Sequence, residues 1–447
     1  MSFTTDKQTM DDLNIFGKRG SDSIYTIFNH TSTSGGAEVM EQMFRYPLSD
    51  VESINERSEI IQYFESNEAA FPFQSALFDS AEQYLSNTDN RSRLRQEQDT
   101  LGRRFRNIIG SDTEYQLIYK GVASIIKIIH SLNEFIKNVQ DSACKTPYRT
   151  DVNAINGIIS DKKLEVLLEG KHSGKLSFAR VADGDRIIRY EARDKIKKLL
   201  YYIYNLDVYI SVAKVATQRG FVFPKALERE QSCVELEGVY HPQVPNAVPN
   251  TLYITPDRNI VFLTGANMAG KSTFMKTLGV AMFLAHMGFP VAAKRMTFSV
   301  RDGIYTTINL PDNLSIGYSH FYAEVVRVKK MAEQVSMSKY LFIIFDELFR
   351  GTNVKDANEA TIAITGAFAQ KPNCIFVVST HIIEAGDVLK ELYDNITFTY
   401  MPTLMDGNNP VYPYKLESGI TADRHGMIII NNEGIIDIIK SRKKQTS

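Results

Sequence analysis

At 447 residues the chain is long enough for two or three domains of the usual ~100–200 residues each. Hydrophobic residues make up 43% and charged residues 23%, which supports a real core and excludes gross disorder. Lys plus Arg (51) balances Asp plus Glu (52) to a net charge of −1, so a wholly basic nucleic-acid binder is excluded and any such surface has to be a local patch.

In chain order, residues 1–12 are polar and are expected to be a flexible N-terminus. Residues 13–220 read as mostly helical. Thr31–Gly36 (TSTSGG) is a turn or cap cluster ahead of a helical pattern. Arg91, Arg93, Arg95, Arg103, Arg104 and Arg106 gather around Phe105, although Glu97 and Asp99 interrupt them. They fit either a solvated helical face or a patch that contacts phosphates. Residues 140–190 are less regular, and their glycines and short alternating stretches predict a small strand pair or an irregular connection. Ile196, Leu199, Leu200, Ile203, Leu206, Ile210 and Ala213 then form one apolar stripe on a long helix.

After Phe221 the character changes. Pro224, Gly238, Pro242, Pro245 and Pro249 appear, and short apolar runs alternate with helical patterns. Ile260–Thr264, Leu341–Phe345 and Ile375–Ser379 predict strands of a largely parallel sheet covered on both faces. The expected class is therefore α + α/β: a helical domain over 13–220, an α/β domain over 221–440 and a short tail over 441–447. In such sheets ligands sit beyond the carboxyl ends of the strands. Three scattered cysteines without a CxxC pair, no secretory pattern and no apolar run of ~18 residues point to a reduced, cytoplasmic protein with no membrane span.

Four motifs carry chemistry. Gly265-Ala266-Asn267-Met268-Ala269-Gly270-Lys271-Ser272, followed by Thr273, fits the phosphate loop G-x-x-x-x-G-K-[ST] between a strand and a helix. Its glycines turn backbone N–H groups toward phosphates, Lys271 reaches the β- and γ-phosphates, and Ser272 offers a hydroxyl to Mg²⁺. Asp346 and Glu347 end a buried strand; Asp346 is the expected Mg²⁺ ligand through water, and Glu347 the residue that orients or activates the attacking water. His381, at the end of a third strand, is placed to bond the γ-phosphate or that water. Ser319, before a helix with apolar Phe321, Val325, Val328, Ala332 and Val335, is either its N-cap or a group facing a triphosphate held by a second subunit. Together they read as an ABC-type P-loop ATPase that uses ATP and Mg²⁺.

These motifs jointly resemble the MutS family of DNA mismatch repair ATPases. Thr264–Thr273 (TGANMAGKST) is similar to the family's TGPNMGGKST, Asp346–Thr352 (DELFRGT) to DEIGRGT, Gly317–Glu324 (GYSHFYAE) to GRSTFMVE, and Ser379–Glu384 (STHIIE) to ATHYFE. Tyr240-His241-Pro242 and Val248-Pro249-Asn250 resemble the RHP and VPN elements, while Pro47-Leu48 and Ile54-Asn55-Glu56-Arg57 resemble the start of the helical core and lever region. The resemblance implies that Ser319 acts in trans across a head-to-tail ATPase homodimer. Where the sequence departs from the family pattern, a short form is expected, without the mismatch-reading and connector domains and with a short or missing C-terminal dimerisation segment. Two functions follow. One is an ATP-dependent DNA-binding protein acting in mismatch repair or on branched DNA, with Arg91, Arg93, Arg103 and Arg104 as candidate sequence-independent DNA contacts. The alternative is an ATP-switched dimer that binds a protein instead of mismatched DNA.

Overall fold

The computed structural model describes residues 3–18, 21–87, 113–169, 175–308, 320–407, 409–421 and 434–440. The chain divides into two compact units. One comprises 1–27, 46–58 and 219–447, and the other 28–45 and 59–218. One division falls between Gln218 and Arg219, and residues 1–27 and 46–58 group with the C-terminal portion, which contiguous reading does not anticipate. The flexible N-terminus expected over 1–12 is corrected too: helix α1 spans Lys7–Asp12, capped by the Asp6 carboxylate on the Thr9 N–H.

The helical unit is built on amphipathic helices. They include α2 (Ser34–Arg45), α3 (Thr113–Ala143) and α4 (Arg193–Arg219). Every residue of the stripe predicted from Ile196 to Ala213 is buried on α4. The Thr31–Gly36 cluster does cap α2, but with a distant partner. Asp207 on α4 accepts from the Ser32 N–H (2.9 Å), the Thr33 N–H (2.9 Å) and the Thr33 hydroxyl (2.8 Å), which satisfies orphan donors at the start of α2. The two glycines let the helices touch, because a Cβ on Gly35 would lie 2.4 Å from the Tyr204 ring.

No strand forms among the described residues of 140–190. Helices Arg149–Ile159, Lys162–Leu168 and Phe178–Asp185 occupy the stretch, followed by a π-helical turn at Arg186–Glu191. Val152, Ile155 and Ile159 bury one helical face at three- and four-residue spacing, and Ser177 caps the third helix through the Arg180 N–H. Short helices separated by polar caps show too few turns for that period to stand out.

The other unit holds strands β1 (Lys225–Leu227), β2 (Val234–Val239), β3 (Asn250–Ile254) and β4 (Ile260–Gly265), then helix α5 (Lys271–His286). Next come β5 (Arg295–Ser299), β6 (Gly303–Thr307), α6 (His320–Ser336), β7 (Leu341–Asp346), α7 (Val354–Ala369), β8 (Ile375–Ser379), α8 (Ile383–Leu392) and β9 (Ile396–Met401). The short strands β10 (Leu404–Asp406), β11 (Asn409–Val411) and β12 (Glu417–Ser418) follow. A six-stranded sheet runs β12-β9-β4-β8-β7-β6, parallel throughout except for β12. A smaller mixed sheet runs β1-β5-β2-β3.

Strands β4, β7 and β8 are almost continuously buried, as strands covered on both faces must be. Ile343, Phe345, Phe376 and Val378 face α6, α7 and α8, where Val328, Met331, Phe368 and Leu389 close the core. Phe368 stacks on Phe345 and Phe376 with ring centroids 5.6 and 4.4 Å away. The opposite face carries α5, where a Cβ on Gly279 would lie 2.5 Å from the Leu13 side chain, so the bare glycine makes room for Leu13. Each fully buried large apolar side chain contributes ~1.5–3 kcal/mol, so this sandwich fixes the strand ends rigidly.

Candidate functional site

The loop from β4 to α5 turns on its glycines. Gly265 has φ +147°, and a Cβ there would meet the Met401 carbonyl oxygen at 2.8 Å. Gly270 has φ +101° and lies under the Tyr414 ring, then opens α5 with the Phe274 N–H to Gly270 carbonyl bond. Asn267 and Met268 are exposed at the loop crest, Met268 with φ +73°. Ser272 and Thr273 are exposed in the first turn of α5, while Ala269 is buried under the loop and Ala266 is half-buried. A helix N-terminus of this kind presents free N–H donors and the positive end of its dipole.

Lys271 is buried, and its Nζ donates to the carbonyls of Gly265 (2.8 Å) and Ala266 (3.1 Å). Burial lowers its pKa, and the carboxylates of Glu347 and Asp346 oppose that shift. The Lys271 Nζ stands 3.9 Å from Glu347 Oε1.

Register aligns the strand ends. Ser379, the last residue of β8, pairs with Asp346 of β7 on one side and with Leu263 of β4 on the other. The Ser379 hydroxyl donates to Asp346 Oδ1 at 2.6 Å, and the Ser272 side chain hydrogen-bonds the same carboxyl group. Burial raises the Asp346 pKa, whereas these two hydroxyls and Lys271 pull it down and the Glu347 charge adds to the rise.

Glu347 begins the loop after β7 with φ +54°, a left-handed conformation that a non-glycine residue holds only under constraint. Its N–H is fixed by the Ser379 carbonyl at 3.1 Å. Its carboxylate lies 3.9 Å from His381 Nδ1 and 3.7 Å from Arg350. Lys271, Asp346, Glu347 and His381 thus surround one point at the tips of β4, β7 and β8. Ser319 and Arg91, Arg93, Arg103 and Arg104 lie outside the described residues.

Three contributors escaped sequence reading. Ser379 locks Asp346 to the neighbouring strand; its signal was a small hydroxyl at the end of an adjacent parallel strand. Arg350 adds a cation beside Glu347. Glu324 on α6 accepts the Gly351 N–H at 3.2 Å, and only its place in the GYSHFYAE stretch hinted at a role. Beside the phosphate-loop motif, a cavity of about 330 Å³ is lined by residues that include Tyr240, His241, Asn250, Gly270, Thr273 and Tyr414. Burial, with a lesser effect from Lys276, lowers the His241 pKa to about 4, so its ring is neutral at pH 7.

Among the described residues no helix is long and apolar enough to cross a membrane, and no group of three or more His, Cys, Asp or Glu forms a metal cluster. Residues 261–447 match the family model of MutS domain V, and residues 8–213 that of MutS domain III. The DNA mismatch repair protein MutS of Fusobacterium nucleatum is 29% identical over 258 residues, which is 56% of this chain and 28% of that protein. Its namesake in Petrotoga mobilis is 28% identical over 256 residues, 56% of this chain and 31% of the relative. That of Lactococcus lactis is 28% identical over 284 residues, 62% of this chain and 33% of the relative. The matched part of the chain therefore spans about a third or less of these relatives.

Proposed function

The chain belongs to the MutS family, and from that premise we propose that it binds ATP with Mg²⁺ and hydrolyses it to ADP and phosphate. One juxtaposition carries the reading: Lys271, Asp346, Glu347 and His381 converge at three neighbouring strand ends beside a glycine-turned loop and a helix N-terminus. Backbone N–H groups from Ala266 to Thr273 and the Lys271 ammonium hold the phosphates. The cavity beside Gly270 and Thr273 takes the base, where the neutral His241 ring and Tyr240 offer flat, weakly polar surface.

The residues present fit Mg²⁺. The Ser272 hydroxyl and the Asp346 carboxylate are hard oxygen donors already hydrogen-bonded to each other, and Mg²⁺ keeps most of its waters and needs only one or two protein ligands. When bound, the ion neutralises charge on the β- and γ-phosphates. Glu347 orients the attacking water and accepts its proton, with its carboxylate steadied by Lys271, Arg350 and His381. His381 donates to the γ-phosphate or to the water. Ser319 of a second copy completes the site, so hydrolysis belongs to a homodimer.

We assign the ATP cycle to work on DNA in the cytoplasm, in mismatch repair or on branched DNA, because the relatives that match the chain carry the name DNA mismatch repair protein. Arg91, Arg93, Arg103 and Arg104 contact phosphates without reading sequence.

Glu347→Gln tests the chemistry. ATP binding is retained, while turnover falls by about 10²–10³-fold. Wild-type turnover in this variant refutes the role of Glu347, and a purified chain that ignores ATP and Mg²⁺ refutes the whole reading. A gel-shift panel of homoduplex, mismatched and branched DNA across a salt series tests the partner. Replacing the four arginines with alanine weakens binding and flattens its salt dependence. Absence of binding at low salt, with and without ATP, moves the reading to an ATP-switched dimer that binds protein.

A further inference from the structure

Residues 4–12 do more than cover a surface. β6 is the edge strand of the large sheet, and an edge presents unpaired backbone groups. Thr4 pairs with it: the Thr4 N–H donates to the Asp302 carbonyl (2.8 Å), and the Ile304 N–H donates to the Thr4 carbonyl (3.0 Å). Side chains of α1 bond further groups along the edge. The Thr9 hydroxyl accepts the Thr306 N–H at 3.0 Å, and Asp12 accepts the Thr306 hydroxyl (2.7 Å) and the Ile308 N–H (2.9 Å). Thr9 and Asp12 are buried, so these bonds are shielded from water.

The same short segment grips α6. Asp6 accepts from both terminal guanidinium nitrogens of Arg327 and from Lys330 at 2.9 Å. Arg327 also donates to the Thr306 carbonyl (2.6 Å) and to the Thr307 hydroxyl (3.2 Å), which ties α6 to β6. Burial alone would raise the Asp6 pKa, but Arg327, the Thr9 N–H and Lys330 hold it well below the usual carboxylate range, so the pair stays charged.

One turn before Arg327, α6 reaches the catalytic loop. Glu324 accepts the Gly351 N–H, and the Phe321 ring packs edge-on against Phe349 with centroids 6.0 Å apart. Both Glu347 and Phe349 have positive φ, so the loop holds two left-handed non-glycine residues and its shape depends on such anchors.

We infer that Asp6 and Arg327 are positioning residues for the Glu347 loop: α1 fixes α6, and α6, through Glu324 and Phe321, fixes the carboxylate that orients water. The inference rests on the proposed ATPase reading for its kinetic consequence, but its structural consequence is measurable without ATP.

In the full chain, Asp6→Asn lowers kcat for ATP hydrolysis by about tenfold, while KM for ATP and the affinity for a non-hydrolysable analogue change less than about twofold. Glu324→Ala, which leaves α1 untouched, gives the same split, and Glu324→Gln, which keeps an acceptor for Gly351, recovers most of the rate. The Asp6→Asn/Glu324→Ala double variant falls no further than the worse single variant, because both act through one helix. Hydrogen exchange provides the readout that is independent of hydrolysis. In Asp6→Asn the Gly351 amide exchanges about tenfold faster, while the amides of β7 and β8 keep their protection. Wild-type kcat in both Asp6→Asn and Glu324→Ala, or unchanged Gly351 exchange in Asp6→Asn, overturns the inference. A kcat loss that merely tracks the unfolded fraction also overturns it. A wild-type chain that does not hydrolyse ATP while Gly351 exchange responds to Asp6→Asn sinks the ATPase reading and leaves the positioning network standing. If Asp6→Asn does not fold, Arg327→Lys, which keeps a cation beside Asp6 but loses the two-nitrogen grip, carries both measurements with the same expected and overturning results.

Discussion

Each unit of the molecule holds a cluster of ionisable side chains, and the two are organised in opposite ways. In the helical unit Arg189 meets both oxygens of Asp185 at 2.6 and 2.8 Å, Tyr84 donates to the same carboxylate at 2.6 Å, and the Tyr84 ring lies under the guanidinium. Arg189 is 3% and Asp185 0% exposed. At the strand tips of the other unit, Glu347 stands 3.9 Å from Lys271 and 3.9 Å from His381, within Coulomb range but beyond hydrogen-bond distance. The first cluster spends its charges on each other and serves the fold. The second keeps its charges near one point, on a loop held in a left-handed conformation, and that is the organisation chemistry needs. How saturated a cluster is with hydrogen bonds separates the two more clearly than its composition does.

The comparison breaks most visibly at Arg189. Arg189→Met leaves Asp185 buried and uncompensated and costs about 3–5 kcal/mol in denaturant unfolding. The joint change Tyr84→Phe, Asp185→Leu and Arg189→Met recovers most of that loss; failure to recover would mean the cluster does more than hold the helices. Lys271→Ala is the mirror experiment. It weakens nucleotide binding by about 10²–10³-fold in calorimetry, or about 3–4 kcal/mol, with little change in unfolding. Next, Gly35→Ala pushes a methyl into the Tyr204 ring and costs about 1–3 kcal/mol by thermal melting.

The smallest effect sharpens the contrast by its sign. Burial first, and then the neighbouring Glu347 charge, raise the Asp346 pKa in the folded state above its unfolded value. A group shifted upward favours the folded state below the unfolded pKa and loses that contribution as pH rises through the folded one. At neutral pH the ionised Asp346 therefore weighs against folding. Asp346→Asn stabilises the nucleotide-free protein by on the order of 1 kcal/mol at pH 7–8, and the gain shrinks as the pH falls into the carboxylate range. It removes Mg²⁺-dependent hydrolysis at the same time. A melting temperature that drops at pH 8 would show that the carboxylate is structural.

What could be read in advance follows the same division. The strand ends were legible because a buried strand is a continuous apolar run, and the polar residue that ends it must surface where neighbouring strands also end. The α4 stripe was legible because 27 residues give its period many repeats. Helix α1, with the sequence KQTMDD, has no apolar stripe at all, since its buried face consists of Thr9 and Asp12 bonded to β6. No local pattern can report a partner about 300 residues away. The short helices between Arg149 and Asp185 failed for lack of length. Ser379 was in view, but its service to Asp346 depends on strand register, which adjacent residues do not reveal.

The chain passes between its two units four times, after Ile27, Arg45, Ser58 and Gln218, so neither unit is one uninterrupted stretch. Thr4 bonds Asp302, 298 residues further on. At roughly 5–20 residues per second of synthesis, the segment that seals β6 waits on the order of 15–60 s for its strand to emerge. The whole helical unit is made in that interval and can fold, while the large sheet cannot yet close. The Thr4 segment is thus exposed without its partner throughout that interval, and it can claim the β6 edge as soon as that strand emerges.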